Sequence, residues 1–417
     1  MTARSVAALL ALAIAAAAAP AQAQFWPPIP EKQKKGRLLL GPVALTPRLE
    51  LRNAGVDTNV LVQPVDPTRD TSIVLRASTD VYVPFGRRVR VAGTGWLDFN
   101  YFADSSDQRS TDPGAQGRVE VDVSRLTLVA GGGAFNSRQL YSTDIDQRIE
   151  RSENWMNGGL RLRLSSALSA EAGVEGHGYR WNPTPDQDQT VKRQLDRDST
   201  VWKGGLRYRV TPLTELVASA EKIDDTFLFS LPGLETTTSY RYLAGFELGD
   251  KAFLSGRFLG GVRDIPGDSA GTVAPYTGPA FQAAIVAPFL QRFRLTLSYD
   301  RDVYYSATGE DALDATRRNT FTDGRFNASV DVDAPFAMVL RLTGGYDDAR
   351  YLRPYPLPGG GTIERQDRTS LWGASLFRRI GESAMVGFTA LHTHRSSNYP
   401  LSDYDRWQYG LSGVVNP

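Results

Sequence analysis

The chain has 417 residues, with 47 Lys and Arg against 46 Asp and Glu, 39 Gly, 24 Pro and no Cys. A net charge of +1 offers no general electrostatic footprint for nucleic acid, and the lack of Cys removes disulfide frameworks, thiolate metal sites and cysteine nucleophiles. Mean hydropathy is -0.30 and no run of about 18 apolar residues follows the N-terminal segment, so helical membrane spans are excluded and a soluble β protein or a membrane β-barrel remains.

Residues 1–23 read as a secretory signal peptide. Arg4 precedes the apolar run Val6 to Ala19, which ends in Pro20 and the small-x-small site Ala21-Gln22-Ala23. Residues 24–42 are expected to form an extended, solvated periplasmic linker, beginning Phe25-Trp26-Pro27-Pro28 and continuing through Lys32, Lys34 and Lys35.

From there to residue 417 the dominant signal is a period of two. In Arg292 to Asp300 the apolar side chains take odd positions and the polar ones even positions, as a strand between two different solvents requires. The same reading covers Leu45 to Leu51, Ile73 to Phe85, Val89 to Tyr101, Arg118 to Val123, Leu160 to Leu164, Leu168 to Gly176, Leu206 to Val210, Tyr240 to Leu248, Phe326 to Val332, Met338 to Tyr346 and Trp407 to Val415. Leu126 to Ala134, Thr214 to Ile223, Phe281 to Val286 and Ser370 to Phe377 carry small or apolar residues on both faces and stay ambiguous.

The connections alternate too. Short turns are expected at Pro84 to Arg87, Ser124-Arg125, Ser165 to Ala167, Thr211 to Leu213, Gly249 to Lys251, Pro288 to Leu290, Asp333 to Pro335 and Arg379 to Glu382. Long polar loops are expected near 53–70, 103–115, 138–154, 182–198, 224–236, 264–274, 304–317, 351–367 and 396–404. Eight turns and nine loops join eighteen strands, an all-β transmembrane antiparallel barrel over 43–417 with both termini on the periplasmic, short-turn side. A propeller fits less well, because each period of 38 to 47 residues holds two long strands and not four short ones. Aromatics near strand ends, such as Tyr101, Trp181, Tyr242, Tyr346 and Trp407, suit two interfacial girdles.

If the apolar parity faces lipid, the opposite parity lines the lumen. That set includes Arg48, Glu50, Arg90, Asp98, Glu120, Asp122, Arg161, Arg163, Glu171, Glu175, Arg207, Arg209, Arg292, Arg294, Asp300 and Arg341. Barrels of about 16 to 18 strands leave an aqueous channel that such a wall would wet. Only seven of the 47 basic residues are Lys, which reflects genomic composition or the capacity of Arg forks to grip carboxylate, phosphate or sugar hydroxyls.

Enzyme signals are poor, and no catalytic residue, cofactor or metal ligand set is assigned. His177 shares the lumen parity of Glu175 and reads as a wall residue before a base; His392 and His394 share the outer face without an identifiable third ligand. Asp144, Asp146, Asp186, Asp188, Asp224 and Asp225 read as solvated loop surface before Ca²⁺ ligands.

Leu45-Thr46-Pro47-Arg48-Leu49-Glu50-Leu51, followed by Gly55-Val56-Asp57-Thr58-Asn59-Val60, resembles the opening of the porin-2-like outer-membrane barrel proteins that accompany exopolysaccharide secretion systems. Val56 departs from the aromatic common in that family, and the chain ends Val415-Asn416-Pro417 where many barrels close on Phe. The resemblance implies a passive outer-membrane conduit or assembly factor for polysaccharide, with polysaccharide-export components as partners. Lipid, lipopolysaccharide and the barrel-assembly machinery are the other expected partners. The expected function is passage of polar solutes, or export of polysaccharide, through an Arg-rich lumen; the alternative is a structural or adhesin-type barrel whose long loops bind a partner.

Overall fold

In the computed structural model the described residues are 29, 31–139, 148–185, 187–229, 236–249, 252–267, 273–290, 292–307, 318–357 and 360–416. The signal peptide expected at 1–23, and Asp144, Asp146 and Asp186, lie outside them. Eighteen long strands follow in chain order. They are β1 Val43–Asp57, β2 Asp70–Phe85, β3 Val89–Phe102, β4 Ser110–Val123, β5 Leu126–Gln139 and β6 Ile149–Arg163. Next come β7 Leu168–Asn182, β8 Arg197–Thr211, β9 Thr214–Phe227, β10 Thr236–Leu248, β11 Ser255–Ile265 and β12 Tyr276–Phe289. The last are β13 Phe293–Tyr305, β14 Thr320–Ala334, β15 Met338–Tyr351, β16 Gln366–Ile380, β17 Ala384–Ser397 and β18 Tyr404–Val415.

Every strand pairs antiparallel with its neighbour in sequence, and β18 returns to β1 through registers such as Leu51↔Gly413 and Asp57↔Gln408. The sheet is therefore closed, which satisfies the edge groups that an open sheet would expose. A bulge near Arg52 and Asn53 shifts the register of β1 against both partners, so Arg48 and Glu50 before it and Asp57 after it all face inward.

The two faces differ as the alternation requires. Leu162, Trp202, Leu206, Tyr208, Phe246, Leu342 and Phe388 are exposed on the convex side. The opposite parity carries Arg and carboxylates, and contacts between distant strands fix it as the concave side. Arg241 on β10 reaches Asp302 on β13 at 2.7 Å, although the strands stand roughly 14 Å apart along a flat sheet.

Three features depart from expectation. The strands run 11 to 16 residues, so 110–115 and 149–154, read as loop, continue β4 and β6. Arg292 belongs to the exposed turn before β13, and the strand starts at Phe293. The linker expected over 24–42 is not wholly solvated: Ile29 is buried against Ala44, Tyr82 and Ala92, and a short helix, α1 Glu31–Lys35, follows. Gln33 Nε2 donates to the Val81 and Gly93 carbonyls at 3.2 and 3.0 Å, while Arg37 donates to Ser383 Oγ at 3.0 Å and to the Asn416 carbonyl. Small Ala side chains at 44 and 92 leave the recess that Ile29 fills, so this segment packs on the inner wall near the short-turn end.

Candidate functional site

The concave face carries a belt of alternating charge, most of it within about five residues of the short turns. Adjacent strands place opposite charges a rung apart, and most guanidiniums find a carboxylate on a neighbouring strand. Arg48 pairs with Glu50, and Asp98 takes the Arg76 fork with Nε at 2.5 Å. Arg90 reaches Glu120 at 3.1 Å and Asp122 at 2.8 Å. Arg161 and Arg207 share Glu171 at 2.5 and 3.1 Å, and Arg207 crosses β9 to Glu247 on β10 at 2.6 Å. Arg341 grips Asp331 through Nη2 at 2.7 Å, and Arg294 stands opposite that same Asp331 on the ladder. Asp300 accepts the Tyr304 hydroxyl at 3.0 Å.

Other residues named from sequence sit elsewhere. Arg163 and Arg209 are exposed at the short-turn rim, Arg209 at 3.5 Å from Glu215. Glu175 binds Lys203 and His177, both at 2.5 Å, and His177 Nδ1 lies 3.3 Å from Glu153, so this imidazole braces two acids across strands. On the outer face, His392 Nε2 and His394 Nδ1 meet Asp405 at 3.1 and 3.0 Å. Among the described residues no group of three or more His, Asp or Glu is arranged to hold a metal.

Towards the long loops the interior narrows. Tyr305, at the end of β13, donates to Asp225 on β9 at 3.0 Å and meets Phe227 edge-on at 4.9 Å. Ala307 lies in a buried cluster with Ile149 and Trp181, seven and six strands away, and with Val191 and Leu195 of the loop helix α2, Thr190–Leu195. Arg318 stacks on Phe227 with its guanidinium carbon 3.8 Å from the ring centre, donates to the Phe229 carbonyl at 3.1 Å, and bridges Val273. Further round, Arg365 lies over Tyr351, Tyr355 and Tyr399 at 4.7 to 5.2 Å. Chain from the loop ends thus crosses the mouth, held by arginines on aromatic faces.

Sequence parity alone missed this layer. Trp181, expected in an interfacial girdle, is instead buried inside the mouth, and it, Phe227, Arg318 and Arg365 lie at strand ends or in loops, where both faces are wet or covered and alternation carries no signal. The Asp57-x-Asn59 element has a local role at the seam: Asp57 accepts from Gln408 Nε2 at 3.0 Å and from Arg406, while Asn59 Nδ2 donates to the Asp405 carbonyl at 3.2 Å.

Two loop groups titrate away from their usual values. Burial, with Arg406 nearby, pulls the Arg148 guanidinium down to about 10. Burial pushes the Asp196 carboxyl above the usual carboxylate range even though it accepts a 2.7 Å hydrogen bond from the Trp181 backbone N–H. Because the packed loop holds the Asp196 proton more tightly than the unpacked one, packing is strongest at acid pH and weakens as pH rises from the ordinary value towards the raised one. Single-channel current is therefore expected to rise over that interval, and Asp196→Asn to flatten the rise; a variant with the wild-type pH profile would remove Asp196 as the cause.

No family model matches the chain, and no curated protein matches it. Among solved structures it is similar to OpdK of Pseudomonas aeruginosa with vanillate, at 13% identity over 89% of this chain and 98% of that one, TM-score 0.49. OccK5 (OpdH) of the same organism gives 12% identity, 90% and 98% coverage, and 0.46. OccAB3 of Acinetobacter baumannii gives 12%, 89% and 98%, and 0.46. Likeness at this level transfers no solute or activity. The resemblance to the porin-2-like proteins finds no support in these comparisons.

Proposed function

We propose that the protein is an outer-membrane channel for small polar solutes. The observation that carries this reading is the division of one closed sheet into an exposed apolar convex face and a charged concave face. Burying the convex residues in lipid removes apolar surface too extensive for a soluble monomer to expose, and a wall of paired charges holds water inside. The lumen set then comprises the belt of Arg48, Glu50, Arg90, Glu120, Asp122, Arg161, Glu171, Arg207, Arg294 and Arg341, with Asp98, Glu175 and Asp300 farther from the short turns. Short turns face the periplasm and long loops the exterior, as in bacterial outer-membrane barrels.

Crossing of the mouth by the chain around Ala307 and Arg318 favours small solutes over a polymer, so polysaccharide export is not part of the proposal. Purified protein reconstituted in planar bilayers is expected to give stepwise, ohmic current. Folded protein that inserts into liposomes and passes no current at any voltage would sink the channel and leave the adhesin-type barrel.

A further inference from the structure

We propose that the outer face of β15 and β16 near the long loops docks the phosphate of an outer-leaflet phosphoglycolipid. The inference rests on the membrane reading above. Arg350 and Arg368 point outward with 62% and 56% of their side chains exposed, and both turn to one carboxylate, Asp348, at 2.8 and 3.7 Å. Two guanidiniums therefore share a single negative charge, and the excess positive charge faces out. Two other outward pairs on this rim are one to one, Lys222 with Asp224 at 2.9 Å and Arg180 with Asp198 at 2.6 Å.

What lies below identifies the partner as a lipid. Arg368 and Trp372 share a face four residues apart on β16, roughly 13 Å along the strand and about 10 Å in depth at a barrel tilt near 40°. Trp372 is 53% exposed and meets Trp407 edge-on at 5.0 Å, with His392 against both rings. Tryptophan seats at the headgroup boundary, so a cation pair one headgroup higher is at phosphate level. Opposite Trp372 in the ladder is Gly344, where a side chain would find its nearest neighbour only at 4.0 Å, the Leu371 carbonyl; the notch fits an acyl chain beside the indole. Between these levels, His394 and Asp405 face the same side, and the exposed Asp405 is shared by both histidines, so it offsets part of the field at the edge of the patch. The bidentate geometry of guanidinium suits a phosphate monoester on a sugar, and anionic headgroups are drawn to such clusters.

The test uses the full-length folded barrel in detergent, with bound lipid counted by native mass spectrometry. The probes are lipid A, the same lipid stripped of phosphate, and phosphatidylglycerol. Lipid A is expected to be retained about tenfold or more above the stripped form, and the R350Q/R368Q variant to lose that difference while keeping the wild-type conductance. Equal retention of phosphorylated and stripped lipid by the unaltered protein overturns the site without needing any variant. Phosphatidylglycerol held as well as lipid A overturns the glycolipid, and discrimination surviving in R350Q/R368Q overturns these residues. Failure of the membrane reading is seen separately, as protein that does not insert into liposomes at all.

Discussion

Replacing Arg241 with Met is expected to destabilise the barrel by about 3–5 kcal/mol, because it leaves two buried carboxylates without their cation. Arg241 Nε and Nη2 both donate to Glu221 Oε2, at 3.0 and 2.6 Å, and Nη1 donates to Asp302 at 2.7 Å. The Arg side chain is 5% exposed, that of Glu221 2% and that of Asp302 11%, so water replaces the lost partner poorly. Arg263, 3.7 Å from Asp302, recovers only part of the loss. The measurement is the midpoint of urea unfolding in detergent, read alongside heat-dependent gel mobility. A double variant, Arg241→Met with Glu221→Leu, is expected to regain much of the stability, since Asp302 still has Arg263 at 3.7 Å and no buried carboxylate is then left without a cation. A loss below about 1 kcal/mol in the single variant would mean that the pair behaves as a solvent-exposed one and that the wall there is wet.

Replacing residues 187–195 by a short Gly-Ser linker is expected to raise single-channel conductance by about twofold or more, since current follows the narrowest cross-section. The physical reason is the buried cluster at the mouth. Val191 and Leu195 are 3% and 4% exposed, and they hold Ala307 against Ile149 and Trp181. Thr190 Oγ1 donates to the Ala307 carbonyl at 3.4 Å, a further tie from the helix to the crossing segment. Without α2 the crossing segment loses its apolar seat, and the mouth widens. Planar-bilayer recordings check this, with gel mobility used to show that the variant is folded. Unchanged current steps would place the constriction elsewhere, in the charge belt.

How much was legible differs along the height of the barrel. Where lipid faces one side and water the other, each strand needs a period of two, so Arg161, Glu171 and Arg207 were placed on the inner face from parity alone. Beyond the lipid both sides are wet, the ladder continues without any apolar requirement, and the first residues of β4 and β6 therefore carry the polar composition of a loop. β11 carries no clear alternation because Gly256, Gly260 and Gly261 interrupt it. Gly261 has its own cause: a side chain there would meet the Tyr242 carbonyl at 1.7 Å, so β10 and β11 approach closely only with hydrogen at that position. Lumen parity also gave no warning that Arg163 and Arg209 lie at the rim, or that Arg292 leaves the strand for the turn, because parity fixes a face and not a height.

Strand number, closed antiparallel order, short turns and long loops at opposite ends, and the parity that carries charge are all legible in the sequence. These are local quantities, set by the spacing of apolar residues and turn formers within a few residues of each other. Only the folded wall sets which acid each arginine holds, carries Arg241 to a strand three places away, and brings Tyr305, Ala307 and Arg318 over the mouth. Those contacts join residues far apart in sequence, 158 positions for Ala307 and Ile149 and 349 for Arg406 and Asp57, and depend on the curvature and closure of the wall, which brings inward side chains together and separates outward ones. Periodicity along a strand is blind to curvature across it.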